Sequence, residues 1–273
     1  MKKIRLIVCI LLLLSCSKTE VTEVDLSPYF KGIGGTAVFY QPTTGQYKIH
    51  NLRLSGQRAS PCSTFKIISA GLALSENLIN TENSKIKWNK KRYDMPAWNK
   101  DMTLKEAFQT SCVWYFRNLI DRLPQAKIQA ALNRLDYGNK DISDWKGDLN
   151  TNTNSPELKG FWIESSLQIS PMEQVRSLAK LFSSSSPAEA ATLKDLMQTT
   201  DTPVKIYGKT GLGIKDNQVH TAWFIGFFEQ DSRPVYFAVR LTDEENPLPD
   251  YRHKASQYAR QIAIDIISNA DLF

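Results

Sequence analysis

The stretch SPCSTFKIISAGLAL, residues 60–74, sets a serine three positions before a lysine at the head of an apolar run. Ser-x-x-Lys occurs five times in the chain, but only at Ser63 does it open a run typical of a buried helix, with Pro61 just ahead of it. A three-residue step on a helix places Ser63 and Lys66 on one face. The stretch therefore predicts a helix whose first turn carries a paired serine and lysine.

The pairing of Ser63 with Lys66 is the pattern of an activated nucleophile. A serine hydroxyl is a weak nucleophile at neutral pH unless a base takes its proton. Lys66 meets that need only if burial lowers its pKa and leaves the amine neutral, or if the amine is chemically modified. The alternative is a capping serine with a lysine that reaches to solvent, and the motif alone does not separate the two.

Bulk composition excludes several classes of protein. With 273 residues and 42% hydrophobic content, the chain is long enough for one large domain with a sizeable core. Its formal charge is +6, but Lys2, Lys3 and Arg5 supply three of the 34 basic residues, so the rest carries 31 basic against 28 acidic residues. That balance predicts no nucleic-acid partner.

The first 16 residues have the order of a secretory signal: a basic head, an apolar run over residues 6–14, and then small residues. The run is too short to span a bilayer as a permanent helix. Its end, LLSC at residues 13–16, resembles a bacterial lipobox, in which the cysteine becomes the lipidated first residue of the mature chain, although Leu14 is uncommon at its position. We expect an exported, periplasmic protein, with a lipid anchor at Cys16 and ordinary cleavage as the alternatives.

Strand patterns lie at both ends of the chain, with helical patterns between them. GTAVFYQPTTGQYKIHN (residues 35–51) predicts a hairpin, and residues 202–213 and 219–241 predict further strands. Residues 63–198 show helical periodicity, and residues 250–268 close the chain as a helix. The pattern predicts an α+β fold in one domain, residues 17–273. Its antiparallel sheet comes from about 30–60 and 200–273, flanked by helices, with a helical subdomain inserted over about 63–198.

Three further motifs carry polar groups suited to chemistry. YGKTG, residues 207–211, is predicted on a strand, where small residues let a substrate backbone approach while Lys209 and Thr210 offer a charge and a hydroxyl to an anion. A phosphate loop is excluded, because Pro203 stands where its first glycine is needed. Ser111-Cys112-Val113 falls in a helical stretch, and Tyr137-Gly138-Asn139 falls in a turn.

In the order STFK, SCV, YGN and KTG, these motifs resemble those of the serine penicillin-recognising enzymes, most closely the class D, or oxacillinase-type, β-lactamases, from about residue 30 to the C-terminus. Class A enzymes fit less well, because Val113 stands where they carry asparagine. YGN mimics the Tyr-x-Asn of class C enzymes, which lack a Ser-x-Val motif. WIESSLQIS places Trp162 where class D enzymes carry a tryptophan, and implies a structural role for Glu164. The resemblance implies a β-lactamase/transpeptidase-like fold and hydrolysis of penicillins, small-molecule substrates, with antibiotic resistance as the result.

By this resemblance Lys66 is carbamylated by carbon dioxide to N6-carboxylysine, and no other cofactor is implied. The reaction needs a neutral amine and therefore an apolar pocket, for which Phe65, Val113, Trp162 and Ile163 are the candidates. Trp162 would donate its indole N–H to the carbamate. The modified lysine would take the proton of the attacking serine and later activate the water that frees the enzyme, so one base would serve acylation and deacylation.

The resemblance also implies roles for groups around the nucleophile. Ser111 would relay a proton to the leaving lactam nitrogen, with Lys209 beside it on the sheet. Backbone N–H groups of Ser63 and Leu212 would form the oxyanion hole.

Substrate binding is assigned by the same resemblance, to Thr210, Gly211, Leu212 and Arg252. Thr210 and Arg252 would hold the substrate carboxylate. Only one short motif locates Arg252, and a solvated surface arginine is the alternative.

The cysteines and histidines predict neither a bridge nor a metal site. Cys62 and Cys112 each lie next to a catalytic serine, and small apolar packing is preferred over a disulfide between them. His50, His220 and His253 show no ligand spacing, so no metal is predicted.

Two alternatives to a hydrolase stay open. A D-alanyl-D-alanine peptidase shares motifs of the STFK and KTG type without needing the pocket around Trp162. A β-lactam sensor would be acylated at Ser63 and remain so; such domains resemble class D closely but follow a multi-pass membrane segment, whereas this sequence shows only a signal-like segment. The motifs do not predict substrate range or oligomeric state.

Overall fold

The computed structural model describes residues 19–200, 202–216, 218–244, 248 and 254–273. The predicted signal segment, with Cys16, and the predicted carboxylate-binding Arg252 lie outside these residues. The helices are α1 (Ser27–Phe30), α2 (Leu52–Ser55), α3 (Lys66–Ser75), α4 (Leu104–Gln109), α5 (Val113–Arg122), α6 (Gln125–Leu135), α7 (Pro171–Ser184), α8 (Pro187–Met197) and α9 (Ala255–Asn269). The strands are β1 (Glu20–Glu23), β2 (Gly35–Gln41), β3 (Gln46–His50), β4 (Ile206–Lys215), β5 (Gln218–Gln230) and β6 (Arg233–Thr242). Within the described residues, no helix combines the length and apolar character needed to cross a bilayer.

One mixed sheet of six strands lies at the centre of the fold, in the order β1-β3-β2-β6-β5-β4. Segments from both ends of the chain meet in it as predicted, because β2 pairs with β6 and sets Val38 opposite Ala238. The prediction of a wholly antiparallel sheet that begins near residue 30 is wrong at one edge, where β1 runs parallel to β3. The four largely exposed residues of β1 are too few to show a strand period, so only pairing with β3 defines this strand.

Two apolar layers cover the two faces of the sheet. Ile225 and Ala238 point into the layer formed with helices α3 to α8, whereas Phe224 and Phe237 point into the layer formed with α9. Successive side chains of a strand point to opposite faces, so this division follows from the strand period. Strands covered on both faces are apolar through their middle, as residues 222–228 of β5 and 235–239 of β6 are.

Helix α3 lies in the middle of the helical portion, and every residue from Lys66 to Ala73 is buried. Gly71 allows the close packing, since a Cβ atom there would lie 3.3 Å from Leu181 Cδ1 and 3.7 Å from Leu193 Cδ1. A lysine at the first position of so buried a helix is held away from water. That is the condition under which the pKa of an amine falls.

Helix α7 begins with a capping box that fixes the end of the segment carrying Trp162. Ser170 Oγ accepts a hydrogen bond of 3.3 Å from the Glu173 N–H, and Glu173 Oε2 accepts one of 2.9 Å from the Ser170 N–H. The Glu173 carboxylate also forms an ion pair with Arg58, whose Nη2 atom lies 2.6 Å from Glu173 Oε1. The chain between Trp162 and α7 is therefore held at its C-terminal end.

Candidate active site

Ser63 and Lys66 form the centre of the candidate active site. Ser63 lies in a 3₁₀ turn, Cys62–Phe65, and Lys66 is the first residue of α3. Lys66 Nζ donates a hydrogen bond of 2.7 Å to Ser63 Oγ. The Lys66 side chain is fully buried, with Nζ 5.6 Å from the centre of the Phe116 ring. The structure thus brings together the pair that the Ser-x-x-Lys spacing predicted. Phe116 was missed, although it lies one helical turn beyond Val113 on α5.

Burial controls the protonation of Lys66. It lowers the pKa of the amine to about 8, against a smaller opposing effect of the Cys112 and Cys62 thiols. An amine with that pKa is partly neutral near physiological pH. A neutral amine can accept the proton of a hydroxyl group, and it can also react with carbon dioxide.

The turn that presents Ser63 is fixed from two sides. The Cys62 N–H donates to the Trp162 carbonyl oxygen at 2.9 Å, and Cys62 has a left-handed φ of 49°. On the other side, Gln174 of α7 donates from Nε2 to Thr64 Oγ1 at 3.0 Å. These bonds hold the nucleophile in place before any substrate binds, which lowers the entropic cost of the attack.

Ser111 and Cys112 lie between two helices, not within one as the sequence predicted, and Val113 begins the second helix. Helix α4 ends at Gln109 and α5 begins at Val113, and Ser111 between them has a φ of 57°. A left-handed residue interrupts a right-handed helix, so the break is local and steric. At this break Ser111 Oγ accepts a hydrogen bond of 2.7 Å from Lys209 Nζ on the sheet.

Lys209 is the second buried lysine of the site, with 5% of its surface exposed. Burial lowers its pKa well below the usual value, and the positive charge of Lys66 lowers it further. Both effects favour the neutral form of the Lys209 amine. Ser111 is therefore hydrogen-bonded to an amine that can take up a proton and return it.

Strand β4 lies at the edge of the sheet and approaches the nucleophile turn closely. A Cβ atom on Gly211 would lie 2.9 Å from Thr64 Cγ2 and 3.1 Å from the Pro61 carbonyl oxygen. Thr210 and Leu212 on either side of it are half-buried. An edge strand offers backbone groups to a bound molecule, so residues 210–212 can contact one that reaches Ser63.

Trp162 is fully buried, and its ring lies 5.7 Å from that of Phe65 and 5.0 Å from that of Phe161. Its Nε1 atom is buried without a hydrogen-bond partner among the described residues. A buried donor left unpaired costs about 1–3 kcal/mol. An anionic oxygen on Lys66 is an acceptor of the type this N–H lacks, so the residues present fit a carbamate there.

Glu164 contacts Cys62 beside the nucleophile, and its described hydrogen bonds go to Cys62 and Ser60. Glu164 Oε1 accepts a hydrogen bond of 3.3 Å from Cys62 Sγ, and the Glu164 N–H donates to Ser60 Oγ at 2.8 Å. Ser60 Oγ in turn donates to the Trp162 carbonyl oxygen at 3.0 Å. Burial raises the pKa of Glu164. The sequence did not single out Ser60, although Ser60 joins the Trp162 segment to the nucleophile turn.

The YGN motif is hydrogen-bonded to the segment that carries Trp162. Asn139 Nδ2 donates to the Ser166 carbonyl oxygen at 2.7 Å, and Asn139 Oδ1 accepts from the Gln168 N–H at 2.9 Å. Gly138 has a φ of 54°, and a Cβ atom there would lie 2.0 Å from the Gln168 carbonyl oxygen. The motif fastens this segment to the turn after α6.

Cys62 and Cys112 are free and buried, as the preference for apolar packing predicted. Burial raises the pKa of Cys112 to about 11 and that of Cys62 well above its usual value, so both are thiols at neutral pH. Of the other residues predicted to line the pocket, Val113 and Ile163 are half-buried. Over the part of the chain that the structure describes, no group of three His, Cys, Asp or Glu side chains could hold a metal ion.

The family follows from comparison with known proteins. Residues 35–268 match the family model of the penicillin binding protein transpeptidase domain. The chain belongs to this family.

Relatives of two kinds are similar to the chain. The regulatory protein BlaR1 of Staphylococcus aureus is 34% identical over 81% of the chain, which spans 36% of the length of that protein. The β-lactamase OXA-1 of Escherichia coli is 32% identical over 82% of the chain and 80% of the enzyme. Among solved structures, the C-terminal domain of the Bacillus licheniformis BlaR penicillin receptor superimposes with a TM-score of 0.79 at 29% identity, covering 93% of this chain and 98% of that domain. The fold is therefore that of the β-lactamase and transpeptidase group.

Proposed function

We propose that the chain is a class D serine β-lactamase that hydrolyses penicillins through an acyl-enzyme at Ser63. The observation that carries the proposal is the buried Lys66 amine, which lies 2.7 Å from Ser63 Oγ and has a pKa lowered to about 8. Its position suits a base that takes the serine proton. Family membership and the similarity to OXA-1 support the same reaction.

Acylation follows from the positions of the polar groups. Ser63 Oγ attacks the lactam carbonyl carbon and loses its proton, the carbon–nitrogen bond of the ring breaks, and the nitrogen receives a proton. Ser111, bonded to Lys209, is placed to deliver that proton. The backbone N–H groups of Ser63 and Leu212 would stabilise the oxyanion, since the close approach of β4 brings the two segments together.

Deacylation needs a base that activates a water molecule beside Ser63. A carbamate on Lys66 would be the base for acylation and for deacylation. The neutral fraction of Lys66 can form it, and the rings of Phe65, Phe116 and Trp162 provide apolar surroundings. The unpaired Trp162 N–H is the donor proposed to hold it. No metal or organic cofactor enters this scheme.

Binding of the penicillin carboxylate is assigned to Thr210 together with Arg252. Thr210 is half-exposed on the edge strand, where a substrate can reach its hydroxyl. Arg252 is proposed from the resemblance alone. The amino-terminal segment supports two further proposals, export to the periplasm and a lipid anchor at Cys16.

A β-lactam sensor is the second candidate, because BlaR1 is 34% identical and the BlaR receptor domain has a TM-score of 0.79. A sensor would use the same nucleophile but would keep the acyl group. The two functions therefore differ in the rate of deacylation and not in the first step.

The deciding experiment is an intact-mass time course of the protein mixed with excess benzylpenicillin in bicarbonate buffer. A hydrolase shows one penicillin adduct that disappears as the drug is consumed, whereas a sensor shows an adduct that persists for hours. The Ser63→Ala variant is the control and should show no adduct. An adduct on that variant would remove Ser63 as the nucleophile.

A further inference from the structure

A second concave site lies between α7, α8 and the turns that join β2 to β3 and β5 to β6. It is a groove of about 710 Å³. Aromatic side chains supply much of its wall: Tyr40, Phe182, Phe227 and Tyr236. No residue assigned to the reaction at Ser63 lines this groove, so it is a separate site.

The aromatic wall of the groove is formed in advance by packing within the protein. The ring of Phe182 lies 4.8 Å from that of Phe227, edge to face, and the ring of Tyr236 lies 5.6 Å from that of Phe227. Tyr40 stacks on Tyr47 at 4.3 Å. Rings held by such contacts bind a flat apolar molecule without first having to be ordered.

Cations outnumber carboxylates around the groove. Arg176, Lys180 and Lys194 line it, with Glu229 as the one carboxylate among its described lining residues. Lys194 Nζ lies 2.9 Å from Glu229 Oε1, so these two charges offset each other. Lys180 Nζ has a carboxylate oxygen of Asp136 at 3.9 Å, the limit of an ion pair.

Arg176 is the cation best placed to receive a ligand. It is exposed, and among the described residues it makes no hydrogen bond or ion pair, although its charge acts on Asp136 and Tyr47 from beyond ion-pair distance. A guanidinium group presents a planar set of donors that matches the oxygens of a carboxylate or sulfonate. The groove therefore pairs an aromatic wall with an anion-binding group whose donors are unused.

We propose that this groove binds small aromatic acids, with the ring against Tyr40, Phe182 and Tyr236 and the acid group at Arg176. Small-molecule sites in proteins are of this size and combine an apolar wall with few polar groups. The proposal rests on the groove alone and is independent of the reaction at Ser63.

The test compares two probes that differ in one sulfonate group, 8-anilinonaphthalene-1-sulfonate and uncharged N-phenyl-1-naphthylamine. Both are titrated against the purified protein by fluorescence. The sulfonate should bind at one saturable site about tenfold more tightly than the neutral probe, and Arg176→Ala should remove about that factor for the sulfonate only. Phe182→Ala should lower the affinity of the protein for both probes. Lys87→Ala, an exposed cation outside the groove, is the control.

Two results would overturn the proposal. They are equal affinity for the two probes, and sulfonate binding unchanged by Arg176→Ala. Penicillin acylation measured on the Arg176→Ala variant should match the parent protein, because this residue is outside the catalytic groups.

Discussion

Lys209 Nζ and Ser111 Oγ form a hydrogen bond of 2.7 Å across 98 positions of sequence. The bond joins the edge strand of the sheet to the break between two helices of the helical portion. It lies beside a second lysine–serine bond of the same length, between Lys66 and Ser63. The site thus contains two buried amines, each bonded at 2.7 Å to the hydroxyl group of a serine.

Removing the hydroxyl group of Ser111 tests the proposed relay of a proton to the leaving nitrogen. We expect Ser111→Ala to slow acylation by a chromogenic cephalosporin about 10²-fold or more, since a positioned acid or base contributes roughly that factor. Rapid-mixing absorbance under single-turnover conditions measures this rate. Ser143→Ala, an exposed serine of another Ser-x-x-Lys motif, should act as the parent does. Unchanged acylation in Ser111→Ala would assign the proton transfer to another group.

Removing the amine of Lys66 tests whether one base serves both acylation and deacylation. Lys66→Ala should lose both adduct formation and turnover of benzylpenicillin, because Ser63 then has no base within hydrogen-bond reach in the structure described. Intact mass and substrate consumption report the two steps separately. Lys146→Ala, an exposed lysine at the same spacing from Ser143, is the matched control. Normal turnover by Lys66→Ala would end the argument for one base.

The lowered pKa of Lys66 predicts a dependence on pH and carbon dioxide. Below pH 8 the amine is mostly protonated, and carbamate formation also releases a proton, so both effects disfavour the carbamate as pH falls. The dissolved carbon dioxide needed for half-maximal activity should rise about tenfold or more from pH 8 to pH 7. Steady-state rates at fixed carbon dioxide check this. A requirement independent of pH would contradict the carbamate.

Trp162→Phe removes the indole N–H while keeping an aromatic ring in the pocket. If that N–H holds a carbamate, the variant should lose activity in buffer free of bicarbonate and regain much of it on bicarbonate addition. With ¹³C-labelled bicarbonate, the NMR signal of the Lys66 carbamate should be weaker in the variant than in the parent protein. Trp145→Phe, whose ring stacks on Phe161 at 5.3 Å, serves as control. Full activity of Trp162→Phe without bicarbonate would refute this role.

The Cys62 thiol should stabilise the half-buried Glu164 carboxylate. Cys62→Ala removes the donor at 3.3 Å and should lower the free energy of unfolding by about 1–2 kcal/mol, whereas Cys62→Ser should retain most of it. The loss should be larger at pH 8 than at pH 5, because burial raises the pKa of Glu164 and so favours its protonated form, which needs the donor less, at the lower pH. Urea unfolding at both pH values measures it. Equal stability of the alanine variant and the parent would show that the bond contributes nothing.

Local patterns were enough to predict several elements. The apolar run after Ser63, the strand around Lys209 and the closing helix were all found, because each is defined by the periodicity of its own residues. The parallel strand β1 was missed, since its four residues carry no such signal. The break at Ser111 was missed too, because a left-handed residue inside an otherwise helical pattern leaves no trace in composition.

Spacing predicted the pairing of Ser63 with Lys66, and the order of the motifs predicted the roles of Ser111, Trp162 and Lys209. The protonation and bonding of these groups depend instead on how the chain packs in three dimensions. The lowered pKa of Lys66 and the unpaired N–H of Trp162 come from burial by residues distant in sequence. Desolvation depends on everything packed around an atom, so no short stretch of sequence specifies it.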